Sequence, residues 1–244
     1  MTDTPINLPP VRVVLVETSH PGNIGAAARA MKTMGLDRLY LVRPKKFPDA
    51  EATARASGAD DILYNAVVCD DFAEAIADCH TVFGASARQR SIPWPLLDPR
   101  EAAQKIVSTA GSGEAAVVFG REQWGLRNEE LSQCNFLVTV PANPDYSSLN
   151  LAMSVQVMSY ELRMASRGDV EAEPLGDAPL ASNADVEQMY AHLERAMLHT
   201  GFLDPENPRH LMRRLRRLFS RAQLDQNEVN IMRGWLASIE AERD

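Results

Sequence analysis

Four short stretches gather the residue types that hold anions or position a polar reactant. The first is Gly22-Asn23-Ile24-Gly25, with Arg29 one to two turns further on. The second is Ala85-Ser86-Ala87-Arg88-Gln89-Arg90, the third Gly120-Arg121-Glu122-Gln123-Trp124-Gly125, and the fourth runs from Pro141 to Ser147-Ser148-Leu149-Asn150. Glycine lets a backbone approach a ligand, serine and asparagine supply directed hydrogen bonds, and the planar fork of arginine suits phosphate. Taken singly, each stretch has a plain structural reading. Gly22-x-x-Gly25 serves as turn chemistry and lacks the third glycine of a dinucleotide fingerprint. Arg29 can snorkel from an alanine-rich helix, and Arg88 and Arg90 can be a solvated loop face. Gly120 and Gly125 can mark a strand exit and a turn, and Glu122 near a sheet edge is expected to be exposed and idle.

The elements that must carry these loops are legible from periodicity. Continuous apolar runs predict strands at Val11–Val16, Arg38–Val42, Ala66–Cys69, Thr81–Ala85, Ala115–Phe119 and Phe136–Val140. Helices are expected between them: Ile24 to Met34 with a small-residue face closed by Gly35, Asp49 to Ala56, a helix capped by Asp70 and running through Cys79, Asp98-Pro99 to about Ala110, and a short helix capped by Asn128. Another opens at Ser147-Ser148-Leu149-Asn150 and continues past Met158. Strands that alternate with helices and are apolar throughout imply a parallel sheet covered on both faces. The four stretches each follow a strand, so they gather at the carboxyl edge, where open sheets bind ligands.

The sheet domain is expected to span residues 1–165, followed by an acidic, Pro/Gly-bearing linker over 166–182 and a helical extension over 183–244. In the extension, Asp185–Thr200, Pro208–Ala222 and a helix entered through the Asp225-to-Glu228 capping box have one apolar face each. The middle helix is expected to turn Leu211, Met212, Leu215, Leu218 and Phe219 inward and its arginines outward. The formal charge is −8 over 244 residues, yet Arg209, Arg213, Arg214, Arg216, Arg217 and Arg221 lie in one segment without an acid, leaving the rest at about −14. That distribution suits a nucleic-acid partner held locally. No apolar run approaches the ~20 residues of a membrane span, and the polar, Pro-rich start MTDTPINLPP does not resemble a targeting peptide. Cys69, Cys79 and Cys134 are few and dispersed, which suggests no metal site and a cytoplasmic location.

In this order, Asn23-x-Gly25 with Arg29, Val118-Phe119-Gly120-Arg121-Glu122 with Gly125-Leu126, and Pro141 with Ser147-Ser148-Leu149-Asn150-Leu151-Ala152-Met153-Ser154-Val155 resemble the three motifs of the SPOUT methyltransferases. The flanks Glu17-Thr18-Ser19-His20-Pro21-Gly22-Asn23 and Ala142-Asn143-Pro144-Asp145-Tyr146 look like the TrmJ-type branch, tRNA 2′-O-methyltransferases of nucleotide 32 in the anticodon loop. The Arg-rich helix and Asn230-Ile231-Met232-Arg233-Gly234 are similar to that branch too. The resemblance implies an α/β fold with a C-terminal trefoil knot, S-adenosylmethionine as cofactor, tRNA as substrate, and a homodimer joined through the knot region. The apolar Leu151 to Val157 segment is a candidate interface element, though core packing explains it equally well. The resemblance also implies Arg29, Asn23 and Ser148 as catalytic residues, and Ala85, Ser86, Ala87, Gly120, Val140, Ser147, Ser148 and Leu149 around the cofactor. Arg88, Arg90, Arg121, Arg213, Arg214 and Arg217 would contact RNA, and no metal is required. A related enzyme acting on ribosomal RNA or another tRNA position, and a non-catalytic RNA-binding protein on the same scaffold, remain alternatives. So does a nicotinamide-dependent oxidoreductase with Arg43 near a 2′-phosphate, which the missing glycine disfavours.

Overall fold

The structure is a computed structural model that describes residues 8–86, 94–168 and 178–241. Strands β1 (Val11–Val16), β2 (Arg38–Val42), β3 (Val67–Cys69), β4 (Thr81–Ala85), β5 (Leu96–Leu97), β6 (Ala115–Phe119) and β7 (Phe136–Val138) form one sheet in the order β3-β2-β1-β6-β4-β7-β5. Every pairing is parallel. The apolar strands predict a doubly covered sheet, and β1 shows it directly. Val11, Val13 and Leu15 enter one core with α1 (Pro21–Met34), α2 (Ala50–Ala56), α3 (Asp60–Tyr64), α5 (Pro99–Ser108) and α7 (Leu151–Ala165). Val14 and Val16 enter the other with α4 (Phe72–Ile76) and α6 (Asn128–Leu131).

Alanine and glycine on α1 have a definite purpose. A Cβ at Gly25 would lie 1.9 Å from the Ala52 carbonyl oxygen, so α1 and α2 approach closely only because that position has no side chain. Gly35 closes α1 at φ 89°, its N–H returning to Lys32 and Met31 carbonyls. The exit of β1 thus leads into a helix held tightly against the body, and that fixes where Asn23 and Arg29 stand.

Several boundaries differ from the sequence reading. The helix expected from Asp70 to Cys79 is the shorter α4, capped by Asp71, while the Asp70 N–H bonds Glu74. Asn128 is the first residue of α6 and Arg127 occupies the cap position. β7 ends at Val138, and α7 starts at Leu151 with Asn150 as its cap, so Ser147–Leu149 remain extended loop. Neither α3 nor β5 was expected. Each is five residues or fewer, too short to express a period.

Beyond α7, helices α8 (Asn183–Thr200), α9 (Leu211–Ala222) and α10 (Gln226–Ala241) pack around Leu193, Met197, Met189, Tyr190, Val229 and Leu236. The expected capping box is formed at α10: Glu228 N–H donates to Asp225 at 2.8 Å and Asp225 N–H to Glu228 at 3.0 Å. The start of α8 rests on the sheet domain, Asn183 N–H donating to the Cys79 carbonyl at 2.9 Å and Ala184 N–H to Ala77 at 3.1 Å. Leu218 is 48% exposed rather than inward. Arg216 takes the inward place instead, bonded to Glu187 and lying 4.4 Å over the Tyr190 ring.

Candidate active site

The carboxyl ends of β6, β4 and β7 open onto a cavity of about 360 Å³, the size of a small-ligand pocket. Ala85, Ser86, Gly120, Arg121, Val140, Ser147, Ser148 and Leu149 all line it, so residues scattered over 65 positions of sequence meet as their spacing suggested. Ala87, Arg88 and Arg90, expected beside the pocket, lie outside the described residues. The walls combine glycine, alanine and serine positions with apolar side chains such as Phe119, Val138, Leu149 and Met158. At Gly120 a Cβ would sit 2.2 Å from the Gly125 carbonyl carbon, so only glycine lets the two edges of the 120–125 loop close. Ser86 N–H bonds the Val138 carbonyl at 2.9 Å, and Thr139 Oγ1 donates to the Ser86 carbonyl at 2.6 Å, fastening two of the pocket loops to each other.

A hydrogen-bonded chain ties three of the motif loops. Glu122 accepts from Ser19 N–H at 3.1 Å, Ser19 Oγ at 3.0 Å, His20 N–H at 3.3 Å and Asn23 Nδ2 at 3.1 Å. Asn23 Oδ1 in turn accepts from Asn150 Nδ2 at 3.0 Å, while Asn150 Oδ1 caps α7 through the Ala152 and Met153 amides. Burial opposes the charge of Glu122, but its own backbone N–H, Asn23, Ser19 and His20 outweigh it and hold the carboxyl below its ordinary value. Taken singly Glu122 reads as an idle surface acid, but it lies in a motif of the resemblance, and here it is the hub of the hydrogen-bonded chain. Its position alone does not reveal its partners, because the four donors come from a segment about a hundred residues earlier.

The arginines divide. Arg121, expected to contact RNA, is instead enclosed: its Nε donates to Glu17 at 2.8 Å, its Nη1 and Nη2 to Glu130 at 3.0 and 2.8 Å. Those bonds raise its pKa despite burial. Arg29 projects from α1 into solvent, with no hydrogen bond or ion pair from its guanidinium among the described residues. It stands on the helix that carries Asn23 but does not line the cavity. Arg213, Arg214 and Arg217 lie on α9. Among the described residues, no group of three His, Cys, Asp or Glu could hold a metal ion, and no helix is long and apolar enough to cross a membrane.

Known proteins resemble this chain along nearly its whole length. Residues 10–160 match the SpoU rRNA Methylase family, and residues 184–244 match the C-terminal domain of the tRNA methyltransferase TrmJ. The chain belongs to the TrmJ family of methyltransferases. It is 51% identical over 238 residues to the tRNA (cytidine/uridine-2′-O-)-methyltransferase TrmJ of Cronobacter sakazakii, covering 96% of this chain and 97% of that protein. A Pseudomonas aeruginosa relative described as a tRNA (cytidine/uridine/adenosine-2′-O-)-methyltransferase is 52% identical, with 94% and 93% covered. The crystal structure of TrmJ from Z. mobilis ZM4 superposes with a TM-score of 0.83 at 35% identity, over 96% of this chain and all of that one. The fold class read from the sequence, a parallel α/β methyltransferase sheet with a helical extension, is the one observed.

Proposed function

We propose that this protein methylates the ribose 2′-hydroxyl of nucleotide 32 in the tRNA anticodon loop, with S-adenosylmethionine as donor. The observation that carries the reading is the conjunction of the pocket at the carboxyl edge with the Glu122–Asn23–Asn150 chain beside it, in a chain of the TrmJ family. The pocket residues fit a bent nucleoside. Apolar walls at Phe119, Val138, Leu149 and Met158 suit a flat base, and the exposed Ser147 and Ser148, whose hydroxyls have no hydrogen bond among the described residues, can meet its polar groups. Ala85, Ser86, Gly120, Val140, Ser147, Ser148 and Leu149 would hold it. When bound, the sulfonium supplies an already activated methyl group.

What the chain must add is position and a route for the proton. A 2′-hydroxyl is a poor nucleophile until its proton leaves, so the oxygen must be held in line and the developing alkoxide stabilised. Asn23 is oriented from both ends by Glu122 and Asn150, yet it retains one amide hydrogen and one lone pair to direct the ribose. Ser148 offers a hydroxyl to the 2′-oxygen. Arg29 stays protonated at ordinary pH, so it acts as a clamp on the phosphate beside the target ribose, and that phosphate or a water takes the proton. The arginines of α9 hold the tRNA farther from the reacting atoms, contributing affinity without reading sequence.

The same reading divides the chain into a methyltransferase domain over 1–165, a linker over 166–182 and a tRNA-binding extension over 183–244, with the knot in the catalytic domain. It also includes a homodimer. Leu151 and Val155 are in the protein's own core, but Met153, Tyr160 and Met164 recur along the outer side of α7 and are 41 to 63% exposed. A second copy of the chain would cover that stripe.

The test is methyl transfer from labelled S-adenosylmethionine to bulk tRNA, with the modified nucleotide mapped. Label on the ribose of nucleotide 32 is expected. Transfer to ribosomal RNA, or to another tRNA position, would keep the chemistry and overturn the substrate. Cofactor binding with no transfer to any RNA would turn the reading toward a binding scaffold.

A further inference from the structure

Trp124 plays no part in the arrangement described so far, and its placement is unusual. The indole is 68% exposed at the mouth of the pocket. It is carried on a rigid turn: Arg121 N–H donates to the Gly125 carbonyl at 3.2 Å, Gly125 N–H returns to Arg121 at 2.8 Å, and Gly125 has φ 67°. No acceptor for its indole N–H exists among the described residues, whereas Trp94 donates to the Cys134 carbonyl at 2.8 Å. A large aromatic surface held on a fixed turn at a pocket rim can stack on a flat ligand group there.

Beside it lies an unbalanced cationic cluster. Glu17 accepts from Arg121 Nε at 2.8 Å and forms ion pairs with Arg43 Nη2 at 3.0 Å and Arg127 Nη2 at 3.6 Å. Glu130 is the other carboxylate in contact, so three guanidiniums meet two carboxylates. Arg43 and Arg127 keep 47% and 58% of their side-chain surface exposed. Exposed Lys45 and Lys46 extend the charge along the exit of β2. Glu17 and Arg43 leave paired strands side by side, both in the left-handed region at φ 48° and 45°, a conformation non-glycine residues rarely adopt and one that gathers at functional sites. The cluster adjoins the site through the chain itself: Arg121 precedes Glu122, and Thr18, whose carbonyl accepts from Lys45 N–H at 3.0 Å, precedes Ser19.

We propose that Trp124, Arg43 and Arg127 form a platform for single-stranded RNA at the pocket mouth, with the indole against the base of an unpaired nucleotide neighbouring the methylated one and the guanidiniums on its flanking phosphates. The inference rests on the proposed function, because a polynucleotide whose ribose reaches Asn23 must continue across an adjacent rim. An unpaired strand alternates a π-face with a phosphate, the chemistry that this rim presents. Glu17 orients the two exposed guanidiniums without neutralising the set.

The test measures the full-length chain's affinity for an unmodified tRNA transcript, and for its isolated anticodon stem-loop, at several salt concentrations. Trp124→Ala is expected to weaken binding roughly 5- to 150-fold, the range for losing one base–aromatic stack, and Trp124→Phe to recover most of it. Arg43→Gln and Arg127→Gln are each expected to lower the slope of log affinity against log salt by roughly 0.7, the value for one single-strand phosphate. S-adenosylmethionine affinity, measured by calorimetry, should hold in all of them. RNA affinity within twofold of wild type in Trp124→Ala overturns the platform. So does a loss matched by an equal loss of S-adenosylmethionine affinity, which gives the indole to the cofactor, or by dissociation in sedimentation, which gives it to a protein interface. The ratios are taken on whichever RNA the wild type methylates, so a wrong tRNA assignment shows in the wild type and a wrong platform in the variants. A wild type that binds no RNA overturns both.

Discussion

The carboxyl edge of the sheet and the C-terminal helices are both rich in arginine, and they use it under different constraints. At the sheet edge, Arg121 is 10% exposed in its side chain and saturated by Glu17 and Glu130. In the extension, Arg216 is held by Glu187 and Tyr190 in the same manner. Each region thus has one arginine that cross-links elements and others, Arg29 or Arg214, that face solvent without a partner among the described residues. The regions differ in what surrounds the unpartnered ones. Arg29 stands on a helix fixed by a glycine contact, the helix that also carries Asn23 of the Glu122 chain, so its backbone has a set position although its side chain extends into solvent. Arg214 stands on α9, a helix with a single fully buried residue, Ser220, where charge density matters more than exact placement.

The largest effect that would sharpen this contrast is at Arg29. Arg29→Ala is expected to lower methyl transfer by about 10²–10³-fold, the scale for removing one preorganised charge from a transition state, with S-adenosylmethionine binding retained. A loss confined to KM would place Arg29 with the α9 arginines. Next comes Gly25→Ala. Its Cβ would meet a backbone oxygen at 1.9 Å, and backbone cannot rotate away, so α1 and α2 must separate at a cost of about 3 kcal/mol in urea unfolding. An unchanged midpoint would show that α1 is not fixed as argued.

Glu17→Gln tests the sheet-edge cluster by stability and pH together. Hydrogen bonding and attraction from Arg121, with smaller help from Arg127 and Arg43, hold the carboxyl at about 2 against burial, compared with an ordinary 4.5. A depressed folded-state pKa stabilises above the unfolded value and is lost as pH falls through the folded one. The variant should therefore be about 2 kcal/mol less stable than wild type at pH 7, with the difference shrinking between pH 4.5 and pH 2. A difference that is flat across that window would mean Glu17 contributes by shape and not by charge.

The sequence made the scaffold legible because long periodic elements report their own burial. All six residues of β1 are buried, and apolar runs mark six of the seven strands, all but the two-residue β5. The pocket was legible because small and hydroxylated residues follow strands that must end at one edge. What escaped were relations between distant residues. Nothing local distinguishes Glu122, hydrogen-bonded to Ser19 and Asn23, from an idle surface acid, or Arg121, bonded to Glu17, from an RNA contact. On α9 the amphipathic pattern put Leu218 inside and Arg216 outside. It failed because Glu187 on α8 supplies a partner that no reading of α9 alone can include.

The smallest effect is also the one that separates the two kinds of arginine within a single helix. Arg214→Gln removes an exposed charge that bonds nothing among the described residues. It is expected to weaken tRNA binding only a few-fold and to reduce the salt slope by about 0.9, with no change in the unfolding midpoint. Arg216→Gln, two residues on, leaves Glu187 without its partner beneath the Tyr190 ring. Its expected signature is the reverse: stability falls by about 1–3 kcal/mol and the salt slope stays near wild type. If both variants shift the salt slope alike, Arg216 reaches RNA in solution and the division of α9 into a structural and a binding arginine fails. If neither does, the arginines of α9 are not where tRNA phosphates lie, and the affinity must come from the rim of the sheet.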